Sequence, residues 1–186
     1  MKPLFIYLLS SFLFIGNLIC QKVNYTSIRK YIPLGFSILD SASGDFSGDF
    51  RKDLIIILKN NKEDSINDSP RPLLIFLGNH IGGYTLVGKN SNVVLCKGCG
   101  GVFGDPFQDI KIKSHYFSIE HYGGDYERWS RIITFKFDMK DKKIRLHKDS
   151  GDVYQLSTPK KVSTHLYNKN DFDKIEFKDY SNEKDE

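Results

Sequence analysis

The sequence predicts a mainly β fold, built from antiparallel hairpins arranged as propeller-like blades or as a sandwich, with a short N-terminal helix. Three observations carry this. Short apolar runs rich in Ile, Leu, Val and Phe recur along the chain, as in strands that face a core. Clusters of Gly, Asp, Asn and Lys punctuate them at hairpin spacing. No stretch sustains a helical period, so nothing supplies the crossover helices that a parallel sheet requires.

Residues 1–20 place Lys2 before an apolar run reaching Ile15, the shape of a secretory leader and short for a bilayer span. The mature chain is expected to start near Gln21 outside the cytoplasm, secreted or periplasmic, with no transmembrane anchor after cleavage. Lipidation of Cys20 is the alternative, although bulky Ile19 precedes it. One β-rich domain over residues 21–180 and a loose tail over 181–186 follow from the length of 186 residues. The net charge of +4 is spread along the chain, which argues against nucleic acid as a partner.

Residues 24–32 predict the helix, capped by Asn24 or Thr26 and stopped by Pro33. Strands follow at 36–40, 54–59, 73–77, 84–89 and 92–95, with a polar surface loop at 60–71. The runs 54–59 and 73–77 are apolar at successive positions, as in strands covered on both faces. Further strands at 110–113, 116–122, 129–137 and 143–147 complete two antiparallel four-stranded blocks, about 36–95 and 110–148. Weak edge strands are expected at 153–156 and 175–177, joined by a polar run. Alternation in 129–137 sets Arg131 among Trp129, Ile133, Phe135 and Phe137, so it must meet a carboxylate or reach the rim. His115 and His121 read as edge histidines too far apart to share a metal.

The most informative stretch is Gly44-Asp45-Phe46-Ser47-Gly48-Asp49-Phe50-Arg51-Lys52-Asp53, which runs directly into an apolar strand. Asp45, Ser47, Asp49 and Asp53 fall at positions one, three, five and nine of a loop, the alternation a calcium ion needs from oxygen ligands. The alternative is an acidic turn of ordinary turn residues. Over residues 37–59 the pattern resembles the calcium loop of the FG-GAP repeats of integrin alpha chains and related secreted bacterial proteins. The resemblance implies calcium on Asp45, Ser47, Asp49 and Asp53. Ser47 stands where those repeats carry Asn or Asp. Phe50 stands where they carry Gly, at a point that needs a left-handed turn.

Export makes Cys96 and Cys99, in Cys96-Lys97-Gly98-Cys99, a structural disulfide rather than a metal or redox pair. Pro106 and the glycines after Cys99 break helix, unlike a thioredoxin motif. Residues 123–129 form a loop in which Asp125, Tyr126, Arg128 and Trp129, with neighbouring Tyr122, have the composition of a binding surface. No nucleophile elbow, zinc helix or phosphate loop occurs. Asp105 and Asp109 with Glu120 could make an acid pair, a pattern that ordinary solvated acids share. The expected function is recognition of a protein or glycan by an exported binding protein of inhibitor or immunity type, without enzyme activity. The alternative is a carbohydrate- or surface-binding module stacking on Tyr122, Tyr126 and Trp129; a hydrolase using an acid pair is a further one.

Overall fold

The computed structural model describes residues 25–182 except 67 and 168, so the expected leader and residues 183–186 of the expected tail lie outside the described residues. Among the described residues, two antiparallel meanders face each other across one core. The first sheet is β1 (Phe36–Gly44), β2 (Asp53–Asn60), β3 (Arg71–Gly78) and β4 (Tyr84–Val94), in that order. The second is β5 (Phe107–Lys113), β6 (Tyr116–Gly124), β7 (Glu127–Asp138), β8 (Lys143–Gln155) and β9 (Val162–Leu166). The arrangement is a sandwich of four and five strands.

Period-two alternation explains the burial. Ile55 and Ile57 of β2 and Leu73 and Ile75 of β3 enter the inter-sheet core, with Phe117, Ile119, Ile133, Phe135 and Leu146 from the second sheet. Leu54, Ile56, Leu58, Leu74 and Phe76 point the other way, onto a second cluster that includes Ile28, Tyr31 and Ile32. This is why β2 and β3 are continuous apolar runs: the N-terminal segment covers their outer face. That segment is one α-helical turn, Tyr25–Ile28, running into a 3-10 turn, Arg29–Tyr31. The expected cap Asn24 lies outside the described residues.

Several boundaries differ from expectation. The two runs at 84–89 and 92–95 are one strand, β4. β8 extends to Gln155, absorbing the edge strand expected at 153–156. β9 lies within the supposed polar connection; every one of its residues is exposed, so pairing to β8 forms it without an apolar signal. Residues 175–177 make no strand but a single bridge, Arg145 to Glu176, before a 3-10 turn. Phe177 and Tyr180 then plug the core, held by Asn90, whose amide donates to both their carbonyls at 2.6 and 2.9 Å. No helix among the described residues is long and apolar enough to cross a membrane.

Because the strands run up and down in sequence, the connections β1–β2, β3–β4, β5–β6 and β7–β8 share one end. The connections β2–β3, β4–β5, β6–β7 and β8–β9 share the other. The loop at 45–52 and the stretch at 123–129 therefore belong to opposite ends of the sandwich.

Candidate functional site

The loop between β1 and β2 is closed by peptide N–H groups. Asp45 Oδ1 accepts from Gly48 N at 2.7 Å and Asp49 N at 3.2 Å, and its Oδ2 accepts from Phe50 N at 2.8 Å. Asp53, fully buried, takes Phe46 N and Ser47 N on Oδ2 at 3.0 and 2.8 Å and Gly78 N on Oδ1 at 3.1 Å. Burial pushes the Asp53 carboxyl above its usual range, and those amide donors oppose the rise. Asp49 pairs with Arg51, and Ser47 is buried beside Asp53. A carboxylate has about four acceptor sites, so these peptide N–H bonds leave lone pairs on Asp45 and Asp53 that a calcium ion could share. Among the described residues, no group of three or more His, Cys, Asp or Glu is arranged to hold a metal ion. Melting with calcium and then with chelator tests the metal reading, since a ligand of the folded state raises the melting temperature. A rise with calcium that Asp49→Ala abolishes would establish it, and no shift would make the loop an acidic turn. Phe50 adopts φ 63°, the left-handed turn its position calls for, with its side chain almost wholly exposed.

At the opposite end, the structure brings together two stretches far apart in sequence. Cys96 and Cys99 form the expected disulfide, with Cα atoms 5.2 Å apart. The 3-10 segment Lys97–Phe103 that it begins wraps the end of β6. That close approach requires Gly123 and Gly124. A Cβ at Gly123 would lie 2.9 Å from Gly100 O and 2.6 Å from the Trp129 ring, and one at Gly124 would lie 2.0 Å from Glu127 O. The expected loop at 123–129 is thus a tight hairpin with Asp125 and Tyr126 at its tip, because the strands run through Gly124 and from Glu127.

This packing carries Phe103 onto the outward face of the second sheet. The Arg128 guanidinium lies 3.9 Å above the Phe103 ring, and Tyr122 meets that ring edge-on at 5.7 Å. Tyr122 and Tyr154 share a hydroxyl–hydroxyl hydrogen bond of 3.1 Å, which holds the Tyr154 phenol above its usual pKa. One hydroxyl spends its hydrogen in that bond, and the other can donate outward. Arg128 Nη1 is shielded from solvent and has no hydrogen-bond partner among the described residues. Tyr126 is 59 % exposed at the adjoining tip, and Asp125, also exposed, receives Glu127 N at 3.4 Å.

Trp129 does not join this cluster. It pairs with Gly123, and its ring lies across that glycine on the face that also carries buried His121. The Tyr122, Tyr126 and Trp129 stacking platform is therefore not assembled on one face. Phe103 and Tyr154 were not singled out by sequence reasoning. The glycines on both stretches were the available signal, since mutual close approach is what they permit.

Two of the three acids weighed for a catalytic pair, Asp105 and Asp109, are otherwise engaged. Both Asp105 oxygens accept from Arg71 at 2.6 Å, and Asp109 pairs with Lys111. His121 is not an edge residue but 2 % exposed, its Nε2 accepting from Leu95 N at 3.3 Å. His115 Nδ1 lies 3.1 Å from Phe46 O, at the far end. Arg131 meets its expected carboxylate, Asp149, through two contacts of 2.9 and 2.8 Å.

Set against models of known protein families, curated proteins and solved structures, the chain matches none of them.

Proposed function

We propose that this chain is an exported binding protein that recognises another protein through Phe103, Tyr122, Arg128 and Tyr154, in the manner of an inhibitor or immunity protein. The observation that carries the reading is Arg128, stacked on Phe103 with an unpartnered, solvent-shielded nitrogen. An arginine held flat on an aromatic ring has little further entropy to lose on binding, and the half-buried guanidinium can offer its donors other than the shielded Nη1 to a carboxylate. Tyrosine, arginine and phenylalanine at a rigid rim are the residue types that dominate binding energy at protein interfaces. The disulfide and the leader support export, since such bonds persist outside the cytoplasm.

The test is affinity capture from envelope extract and culture medium with the chain from Gln21 onward, followed by binding of the purified partner. Arg128→Ala is expected to weaken binding by about 30-fold or more, the effect of a loss of about 2 kcal/mol at a hot spot, without lowering the melting temperature. Phe103→Ala should weaken it comparably by freeing the guanidinium. A partner bound equally by wild type and both variants, or no protein partner at all, would sink the proposal.

A further inference from the structure

The end of the sandwich opposite Arg128 exposes apolar side chains at three neighbouring hairpin tips. Phe50 is 99 % exposed, and its backbone is held at φ 63° by the N–H bond to Asp45. That region is disfavoured for a residue with a Cβ, so the fold accepts strain to present this ring to solvent. Ile81 is 92 % exposed at the tip of the β3–β4 turn, which is closed by Asn79 N donating to Gly83 O at 2.9 Å. Arg51 ties the two tips together, its Nε donating to Gly78 O at 3.1 Å and its Nη1 lying 3.3 Å from His80 Nδ1. The β7–β8 turn abuts them: a Cβ at Gly48 would lie 3.4 Å from the Met139 methyl, and Met139 is 54 % exposed.

Exposed charge on the same connections is in positive excess, although Asp138 and Asp141 stay 42 % and 41 % exposed. Lys52, Lys113, Lys140 and Lys142 are exposed there. The acids are engaged within the protein: Asp49 by Arg51, Asp138 and Asp141 by Arg145, and Asp45 by peptide N–H groups. Separate apolar tips flanked by lysines do not form the single contiguous patch that a protein pocket would need. They suit a flat surface that accepts each tip independently and carries negative charge.

We propose that this end docks on a membrane surface bearing anionic headgroups, seating Phe50, Ile81 and Met139 among the lipids and the four lysines on the headgroups. The recognition cluster at Arg128 then faces away from the membrane, because the two sets of connections lie at opposite ends.

The experiment is cosedimentation of the chain from Gln21 onward, which retains all of the packing described and removes the apolar leader as a competing anchor. Vesicles of phosphatidylcholine alone and of phosphatidylcholine with phosphatidylglycerol serve as probes. Binding is expected on the anionic vesicles, falling as salt is raised. Phe50→Gly combined with Ile81→Ser is expected to cut partitioning at least about tenfold, since burial of those side chains is lost. Glycine keeps the left-handed backbone, so the melting temperature should not fall below that of Ile81→Ser alone. Failure of the wild type to bind anionic vesicles overturns the proposal. So does a folded double variant that binds them as the wild type does.

Discussion

Replacing Arg71 with alanine is expected to destabilise the protein by about 3–5 kcal/mol, the usual consequence of breaking a buried ion pair from one side. The guanidinium is completely buried at the start of β3. It gives Nε and Nη2 to Glu63 at 3.1 and 3.2 Å, and Nη1 and Nη2 to Asp105 at 2.6 Å each. Glu63, in the β2–β3 connection, is itself only 6 % exposed. Removing the arginine leaves that carboxylate charged, desolvated and without a counterion. The clasp also ties the β2–β3 connection to Asp105 at the entrance to β5, so its loss should loosen the disulfide-bearing segment as well. Urea unfolding at pH 7 measures the effect as a fall in midpoint. A domain of this size should show a melting temperature lower by roughly 10 °C. Lys111→Ala, which removes an exposed pair with Asp109, is the control and should shift the urea midpoint only marginally. A change that small at Arg71 would mean the cluster contributes little to the fold.

Acid should weaken the fold before the carboxylates held low by their bases titrate, and His121 is the reason; Asp53, whose carboxyl burial raises, acts in the opposite sense. Burial holds its imidazole down to a pKa of about 4, with Arg131 adding to the effect; Arg71 acts with it, and Asp149 and Asp105 act against it. In the unfolded chain the same group titrates near its ordinary value of 6.5. Between these values the unfolded state binds a proton that the folded state refuses. Stability is therefore complete above about pH 6.5 and is lost as pH falls toward 4, by about 3 kcal/mol in all. Urea midpoints measured from pH 7.5 to 4.5 should trace this fall. His121→Gln, whose amide oxygen can accept from Leu95 N, should flatten it. A wild-type profile already flat over that range would contradict the assignment. The carboxylates held low by their bases, Asp64, Asp109, Asp141 and Glu176, contribute only at lower pH.

His121 also illustrates where sequence reading stops. Alternation correctly set it on one face with Phe117 and Ile119, but alternation does not say which face is covered. The first sheet and the β4–β5 connection cover it, and they are remote in the chain. Arg71 was read as the end of a surface loop for the same reason: its counterions are 8 and 34 residues away. Arg131 was read correctly because its apolar neighbours on one strand already demanded a carboxylate. The spacing of Asp45, Ser47, Asp49 and Asp53 suggested a cation, yet spacing cannot distinguish oxygens that await a metal from oxygens that only close a turn on peptide N–H groups.

What the sequence determined by itself is local: the strands of β2, β3, β6 and β7 and the Cys96–Cys99 bond. Each follows from the period of side chains or from short loop closure within a few residues. The tertiary structure alone decided that β9 exists, that Arg71 and His121 are buried, and that Phe103 meets Arg128. Those depend on which surfaces exclude water from one another, and that is settled only when segments distant in the chain pack together.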